Sequence, residues 1–265
     1  MTTSVVIPAY NGRQYLQQNL PAVMALGADE VVVVDDASTD DSAKFITDNF
    51  PKTKLIRHLI NKRFPISVND GFTATNVDVV FLLNQDVLPD RDLIKNTLSH
   101  FKDPSVFAVT FNEKDRSWAD GKWVNGMLEF KNGKLDNHTH QSLWASGGSA
   151  AFRKSTWDKL GGFDPIFTPG YFEDLDLGLR ASHAGYKIIW DPKCRVTHTS
   201  ETSISKVFPP KKLRRIKDRN YLLAIWKNMP KSFWPAHFIT LFKRIARHPG
   251  YIIPVKQAIW KKLVS

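Results

Sequence analysis

Four consecutive valines, Val31–Val34, run straight into Asp35-Asp36, and no other feature narrows the possible folds as far. A run of β-branched residues with no polar face needs cover on both sides, the habit of strands in parallel sheets flanked by helices. The pattern recurs. Residues 4–7 (SVVI) stop at Pro8, and residues 78–83 (DVVFLL) stop at Asn84-Gln85-Asp86. Between them, helical spacing of apolar residues predicts helices over 13–26, 40–50 (capped by Ser38 or Thr39) and 66–76, with a further strand over 54–57. Pro89-Asp90 is expected to open the next helix. Strand and helix in alternation predict an α/β fold, a mostly parallel central sheet with helices on both faces. Ligands of such sheets lie beyond the carboxyl ends of the strands. Pro8-Ala9-Tyr10-Asn11, Asp35-Asp36 and Asn84-Gln85-Asp86 all fall at such ends.

The second half reads differently. A strand is expected over 106–111, and Asp120-Gly121 and Asn132-Gly133 are hairpin signals. Helices are expected near 154–160 and 172–184, and a strand over 186–190. After Pro209-Pro210, helices are predicted over 211–228, 236–247 and from Pro254 onward. The net charge of +11 is local to this end: residues 205–265 hold 15 Lys and Arg against one acid, Asp218. Residues 1–204 carry 22 basic and 25 acidic side chains, so a weakly acidic body is joined to a strongly basic amphipathic helical tail. The expected division is therefore 1–204 as a catalytic domain, with halves of about 1–112 and 113–204, and 205–265 as the tail.

Several residues carry chemistry. Asp86, helped by the Asn84 amide oxygen, offers hard ligands to Mg²⁺ or Mn²⁺, which are held by one or two carboxylates plus substrate phosphates. The same residues also suit a turn that satisfies its own backbone amides. Asp35-Asp36 fits a ribose or base contact, and equally an Asx-turn or N-cap. Glu173, Asp174 and Asp176 open a helix, where acids compensate the dipole. One of them can also take a proton from a sugar hydroxyl. Arg180 and Arg195 are read as structural ion-pair partners. Neither a G-x-G-x-x-G after the first strand nor a P-loop is present, and neither zinc-hydrolase nor serine-hydrolase motifs occur.

Five segments in order, SVVIPAYNG, VVVVDDASTDDS, FLLNQDVLP, ASGGSAAFRKSTWDKLGGFDP and YFEDLDLGLRASHAGYKIIWDP, resemble family 2 glycosyltransferases of the GT-A fold. The likeness is strongest to bacterial rhamnosyltransferase-like members, which often carry N-x-D in place of D-x-D. The resemblance implies that Pro8, Ala9 and Tyr10 line a nucleotide site with Asn84, and that Asp35 or Asp36 contacts the base or ribose. It assigns the metal and diphosphate to Asn84 and Asp86, with His198 as a further ligand. Gly147, Gly148 and the neighbouring Trp144 fall to the acceptor or donor sugar, and Asp174, beside Glu173, to the general base. Two departures stand out: Asn rather than Asp at position 84, and Arg63 where relatives commonly carry Gly.

The function implied is inverting transfer of a sugar from a nucleotide-diphosphate donor to a hydroxyl of a glycan or lipid-linked glycan, in cell-surface polysaccharide biosynthesis and with rhamnose as a candidate sugar. The alternatives are a sugar-1-phosphate nucleotidyltransferase, which wants a Gly-rich basic loop after the first strand, and a non-catalytic nucleotide-sugar or carbohydrate-binding module. The basic, aromatic tail is expected to meet an anionic membrane surface and to pack in part on the catalytic domain. No nucleic-acid module is visible, so nucleic acid is not an expected partner. A single cysteine and the absence of a leader or spanning segment point to the cytoplasm, on the inner face of the membrane.

Overall fold

The computed structural model describes residues 1–113, 117–198 and 207–264. The first half follows the expected alternation: β1 (Thr3–Ala9), α1 (Arg13–Met24), β2 (Glu30–Asp35), α2 (Ser42–Asn49), β3 (Lys54–Arg57), α3 (Phe64–Thr73) and β4 (Val79–Leu83). These four strands lie in the order β3-β2-β1-β4, all parallel. Period-two alternation then decides which side chain meets which layer. Val5, Ile7, Val31, Val33, Phe81 and Leu83 pack with Leu16, Leu20 and Ile46 of α1 and α2. Val6, Val32, Val34, Val80 and Leu82 pack on the other face with Val68 and Phe72 of α3. The valine run is thus fully buried because each face serves a different core.

Beyond β4 the chain turns through β5 (Val87–Pro89), α4 (Leu93–Leu98), β6 (Val106–Glu113), the hairpin β7 (Ala119–Val124) and β8 (Met127–Asn132), and the short β9 (His140–Gln141). Next come β10 (Ser149–Arg153), α5 (Lys154–Leu160), α6 (Glu173–His183) and β11 (Lys187–His198). β10 enters antiparallel between β4 and β6, and the nine-stranded sheet continues through β11 to β5.

Three local expectations are corrected. Pro89 ends a strand instead of opening a helix, because residues 87–89 pair antiparallel with β11. The hairpin turns at Asn125-Gly126, both at positive φ (49° and 72°), and not at Asp120-Gly121 or Asn132-Gly133, which lie within or just after its strands. Asn-Gly is the favoured two-residue turn because its left-handed pair matches the strand twist. The strand expected over 186–190 runs on to His198, with a register shift between Asp191 and Arg195 that carries it past Pro192.

The tail forms α7 (Pro210–Asn228), α8 (Trp234–Arg247) and α9 (Ile252–Val264). The junction expected at 204–205 lies outside the described residues. A third core unites Leu222, Leu223 and Ile225 of α7 with Leu175 and Leu179 of α6, Met127 and Leu128 of the hairpin, and Leu241, Val255 and Ala258 of α8 and α9. Helix α6 is therefore clamped. Leu177 and Ala181 face the sheet, while Leu175 and Leu179 face the tail. Truncating Leu223 to Ala should cost about 2–5 kcal/mol, as for other fully buried leucines. Denaturant unfolding measures this, and a loss below about 1 kcal/mol would mean the tail stands outside the cooperative core.

Candidate active site

A cavity of about 350 Å³ opens at the carboxyl edge of the sheet. Pro8, Ala9 and Tyr10 line one wall, with Asp36, Asn61 and Arg63 beside them. Asn84, Gln85, Asp86 and His198 form the floor, and Gly147, Gly148, Glu173 and Asp174 lie opposite. Most of the residues expected at the site are thus gathered in one place. Two are not. Asp35 is fully buried and does not line the cavity; its carboxylate accepts from the Ser38 N–H at 3.3 Å and lies 3.6 Å from Arg57. Trp144 stands outside it as well, packed edge-on against Phe130.

Between the two adjacent aspartates, then, Asp35 makes the turn and Asp36 faces the cavity. Asp36 accepts from the backbone N–H groups of Lys62 (2.7 Å) and Arg63 (2.9 Å) and lies 2.8 Å from His58 Nδ1. It fastens the loop that presents Arg63. Arg63 has φ 78° and ψ 163°, a region that β-carbon sterics reserve for glycine. That explains why glycine is common there, and it means the loop carries strain to put a guanidinium at the cavity.

Gln85, the middle residue of the Asn84-Gln85-Asp86 group, ties the end of β4 to β1. Its side chain accepts from Tyr10 N–H at 3.1 Å and donates to Tyr10 C=O at 3.3 Å. Gly12 makes room for it, since a Cβ there would collide with the Gln85 carboxamide. Asn84 likewise rests directly on Gly148, where no side chain fits.

Asp86 and His198 meet because β11 pairs with β5, setting His198 opposite Val87. His198 Nδ1 lies 3.0 Å from the Glu113 carboxylate, and Nε2 lies 3.5 Å from Asp86. The second distance is too long for a hydrogen bond, and Nε2 is buried without a hydrogen-bond partner. Burial lowers the His198 pKa, but the Asp86 and Glu113 carboxylates more than offset it and raise it to about 9. An imidazole with one nitrogen on a carboxylate and the other aimed at a second acid is the usual arrangement around a bound divalent cation. The residues present fit Mg²⁺ or Mn²⁺ held by Asp86 and His198, with Asn84 adjacent. Glu113, which the Ser149 hydroxyl also contacts, orients the histidine. Sequence reading could not find Glu113, since it ends a mostly apolar strand far from any motif.

The opposite wall is the first turn of α6. Asp174 accepts from its neighbour Leu175 N–H at 2.8 Å and from Gly147 N–H at 3.3 Å. Glu173 is buried, and both burial and the adjacent Asp174 push its carboxyl well above the usual range. Asp176 points away and binds Arg180 (2.9 Å), Lys227 (3.2 Å) and Asn228 (2.9 Å). Arg180 is structural, as expected. Arg195 donates to the Pro192 carbonyl at 3.2 Å.

The loop before α6 holds Tyr171 and Phe172 at φ 74° and 70°, unusual for aromatic residues. The buried Asn220 of α7 holds this loop. Its amide nitrogen donates to the carbonyls of Phe167 (2.7 Å), Gly170 (2.9 Å) and Tyr171 (3.0 Å). Arg219 and Lys261 bind the Thr168 carbonyl at 2.6 and 2.8 Å. The tail thus positions the wall that carries Asp174.

Residues 2–219 match the sequence profile of the Glycosyltransferase like family 2. The chain belongs to that family. An N-acetylglucosaminyl-diphospho-decaprenol L-rhamnosyltransferase of Mycobacterium tuberculosis is 30% identical over 234 residues, which cover 73% of this chain and 75% of the relative. The O-antigen chain rhamnosyltransferase RfbN of Salmonella typhimurium is 26% identical over 217 residues, 75% of this chain and 67% of its own. A pre-mycofactocin glycosyltransferase of M. tuberculosis is 26% identical over 211 residues, and the match spans only 43% of its length. Among solved structures, GalNAc-T7 with UDP, GalNAc and Mn²⁺ superposes with a TM-score of 0.68 at 18% identity, over 85% of this chain and 47% of that one. The mannosyltransferase PcManGT of Pyrobaculum calidifontis, with GDP-Man and Mn²⁺, gives 0.63 at 19%, over 97% and 74%. These likenesses establish the GT-A fold of the family.

Two outcomes are expected here. Asn220→Ala removes the amide that the Phe167, Gly170 and Tyr171 carbonyls share, which should cost about 1–3 kcal/mol and lower turnover more than donor affinity; equal effects on both would mean the loop does not set Asp174. For Glu173, a carboxyl raised in the folded state makes folding lose stability as pH climbs from the ordinary carboxyl value toward the folded one. Glu173→Gln should therefore melt higher than wild type at pH 8, with the gap closing by pH 4. A constant gap would contradict the burial of a neutral acid.

Proposed function

We propose that this protein is an inverting glycosyltransferase that moves a sugar from a nucleoside-diphosphate donor to a hydroxyl of a glycan or lipid-linked glycan, in cell-surface polysaccharide biosynthesis. The observation that carries the reading is one cavity with a cation-type pair, Asp86 and His198, on its floor and a carboxylate, Asp174, across from it. Pro8, Ala9, Tyr10 and Asp36 take the nucleoside end, and Arg63 reaches toward a phosphate. A divalent cation on Asp86 and His198 supplies charge neutralisation to the departing diphosphate. Gly147 and Gly148 leave space for a sugar ring.

Asp174 accepts the proton of the acceptor hydroxyl as its oxygen attacks the anomeric carbon. The carbon–oxygen bond to the diphosphate breaks on the opposite side, and the configuration inverts. Burial and the adjacent Asp174 both raise the Glu173 carboxyl, which favours Asp174 over Glu173 as the proton acceptor. A deoxyhexose such as rhamnose is our first choice of donor sugar, a choice supported by the relatives named rhamnosyltransferases.

A sugar-1-phosphate nucleotidyltransferase is disfavoured by residues 8–12, at the end of β1 and just beyond it, which hold no Lys or Arg and are pinned by Gln85. We place the protein on the cytoplasmic face of an anionic membrane, held through residues 205–265. No helix among the described residues is long and apolar enough to cross a membrane. Exposed Phe238, Phe242, Trp260 and Leu263 on α8 and α9 support a surface attachment.

The test is transfer and donor hydrolysis across a panel of nucleotide sugars with Mg²⁺ or Mn²⁺. Asp174→Asn should lower turnover by roughly 10²–10⁴ while leaving donor affinity within a few-fold of wild type. Failure of the wild-type protein to bind any nucleotide sugar with either cation would overturn the reading in favour of a non-catalytic module.

A further inference from the structure

A second and larger cavity, about 1020 Å³, lies between α7 and α8 on the tail. Its walls are two stripes. Lys211, Arg214, Arg215 and Asp218 recur at helical spacing along α7, and Thr240, Lys243, Arg244 and Arg247 do so along α8. His248 closes one end. Six Lys and Arg thus face one groove that contains a single acid, and among the described residues none of the six forms a salt bridge with a carboxylate. Like charges arranged this way repel one another, and a bound anion relieves that repulsion.

The groove is built on a fixed frame. His237 Nδ1 lies 2.7 Å from the Gly126 carbonyl, and its Nε2 accepts from Trp226 Nε1 at 2.8 Å. Thr240 donates to the Asn125 carbonyl at 3.0 Å, and Arg244 lies over the Tyr251 ring at 4.2 Å. Helix α8 is therefore pinned to the hairpin turn. Along its outer side it also exposes Phe238, Ile239 and Phe242, and α9 adds Trp260 and Leu263, which are 68% and 76% exposed. A cationic groove edged by apolar side chains matches an amphiphile with an anionic head.

Its position matters. Phe208, just before α7, lines the active-site cavity, and Lys217 lies 4.4 Å from the ring of Tyr171, another cavity residue. At about 1.5 Å per residue, Lys211 to Arg215 stand within roughly 10 Å of Phe208 along the helix.

We propose that this groove binds the phosphate or diphosphate headgroup of a membrane lipid, the apolar face of α8 and α9 taking the adjoining hydrocarbon. The same groove then holds a lipid-phosphate acceptor with its sugar directed toward Asp174, a step that rests on the glycosyl-transfer reading. The headgroup site itself does not.

The experiment is co-sedimentation of the full chain with vesicles of phosphatidylcholine alone or mixed with phosphatidic acid. Binding should favour the phosphatidic acid vesicles by roughly tenfold or more and should be competed by inorganic pyrophosphate. Arg214→Glu combined with Lys243→Glu should abolish that preference, and the milder Lys211→Ala should weaken it. Phe242→Ser with Trp260→Ser should lower binding to both vesicle types. Melting curves identify any variant that has not folded. Equal binding of wild type and the folded charge-reversed variant would overturn the proposal. Pyrophosphate binding as tight as vesicle binding and indifferent to the Phe242 and Trp260 changes would assign the groove to a soluble anion, and tighter binding of a single-stranded oligonucleotide would assign it to nucleic acid. Nucleotide-sugar binding by the same preparation without vesicles reports on the donor reading separately.

Discussion

One side-chain amide ties the tail to the loop that leads into α6. Asn220, buried on α7, gathers the carbonyls of Phe167, Gly170 and Tyr171 around one side-chain amide. Losing a buried donor costs more than a formed hydrogen bond contributes, so docking of α7 stabilises the left-handed course of this loop. The loop delivers Glu173-Asp174 to the cavity. Asp176, one turn into α6, closes a second tie to Lys227 and Asn228 of the same tail helix. The basic segment that looks like an appendage in the sequence thus fixes the position of the acidic wall.

Much of this was legible in the sequence where period and chemistry coincide. Valine runs that alternate between two cores fix strands, and polar residues at their carboxyl ends fix the edge where a ligand sits. That reasoning points to the edge at which Pro8, Asp36 and Asn84 line a common cavity, and the acid-rich start of a predicted helix points to Asp174, which lines it too. It could not choose between Asp35 and Asp36, because adjacent residues point to opposite faces and only the register with β1 and β3 decides. Nor could it see the supports. Glu113, His58, Gln85 and Asn220 act through partners 12 or more residues away, and no local pattern marks them. The hairpin was misassigned for a related reason. Three Asx-Gly pairs compete within residues 120–133, and the strand pairing, which depends on Leu128 and Met127 reaching the third core, selects the middle one.

Charge is distributed with the same economy. The cavity and its surroundings concentrate acids, and each has its own support: backbone donors for Asp36, a histidine between Asp86 and Glu113, and burial that raises the Glu173 carboxyl. Cations are collected on the tail, where one face of α7 ties down the α6 loop and another lines the basic groove. Sorting the charges in this way keeps the opposite signs from collapsing onto each other while leaving both cavities open.

The position of α6 between the sheet and the tail has a consequence for how such chains diversify. Its two apolar stripes answer to different neighbours, so a change in the tail's packing rotates or lifts the same rod that carries Asp174. Recombination between relatives is constrained by this packing. It would fail at the boundary before α7, where a transplanted tail brings the wrong surface to a helix already committed on its other side. The tail, the hairpin and α6 share one core, so their packing can change only together.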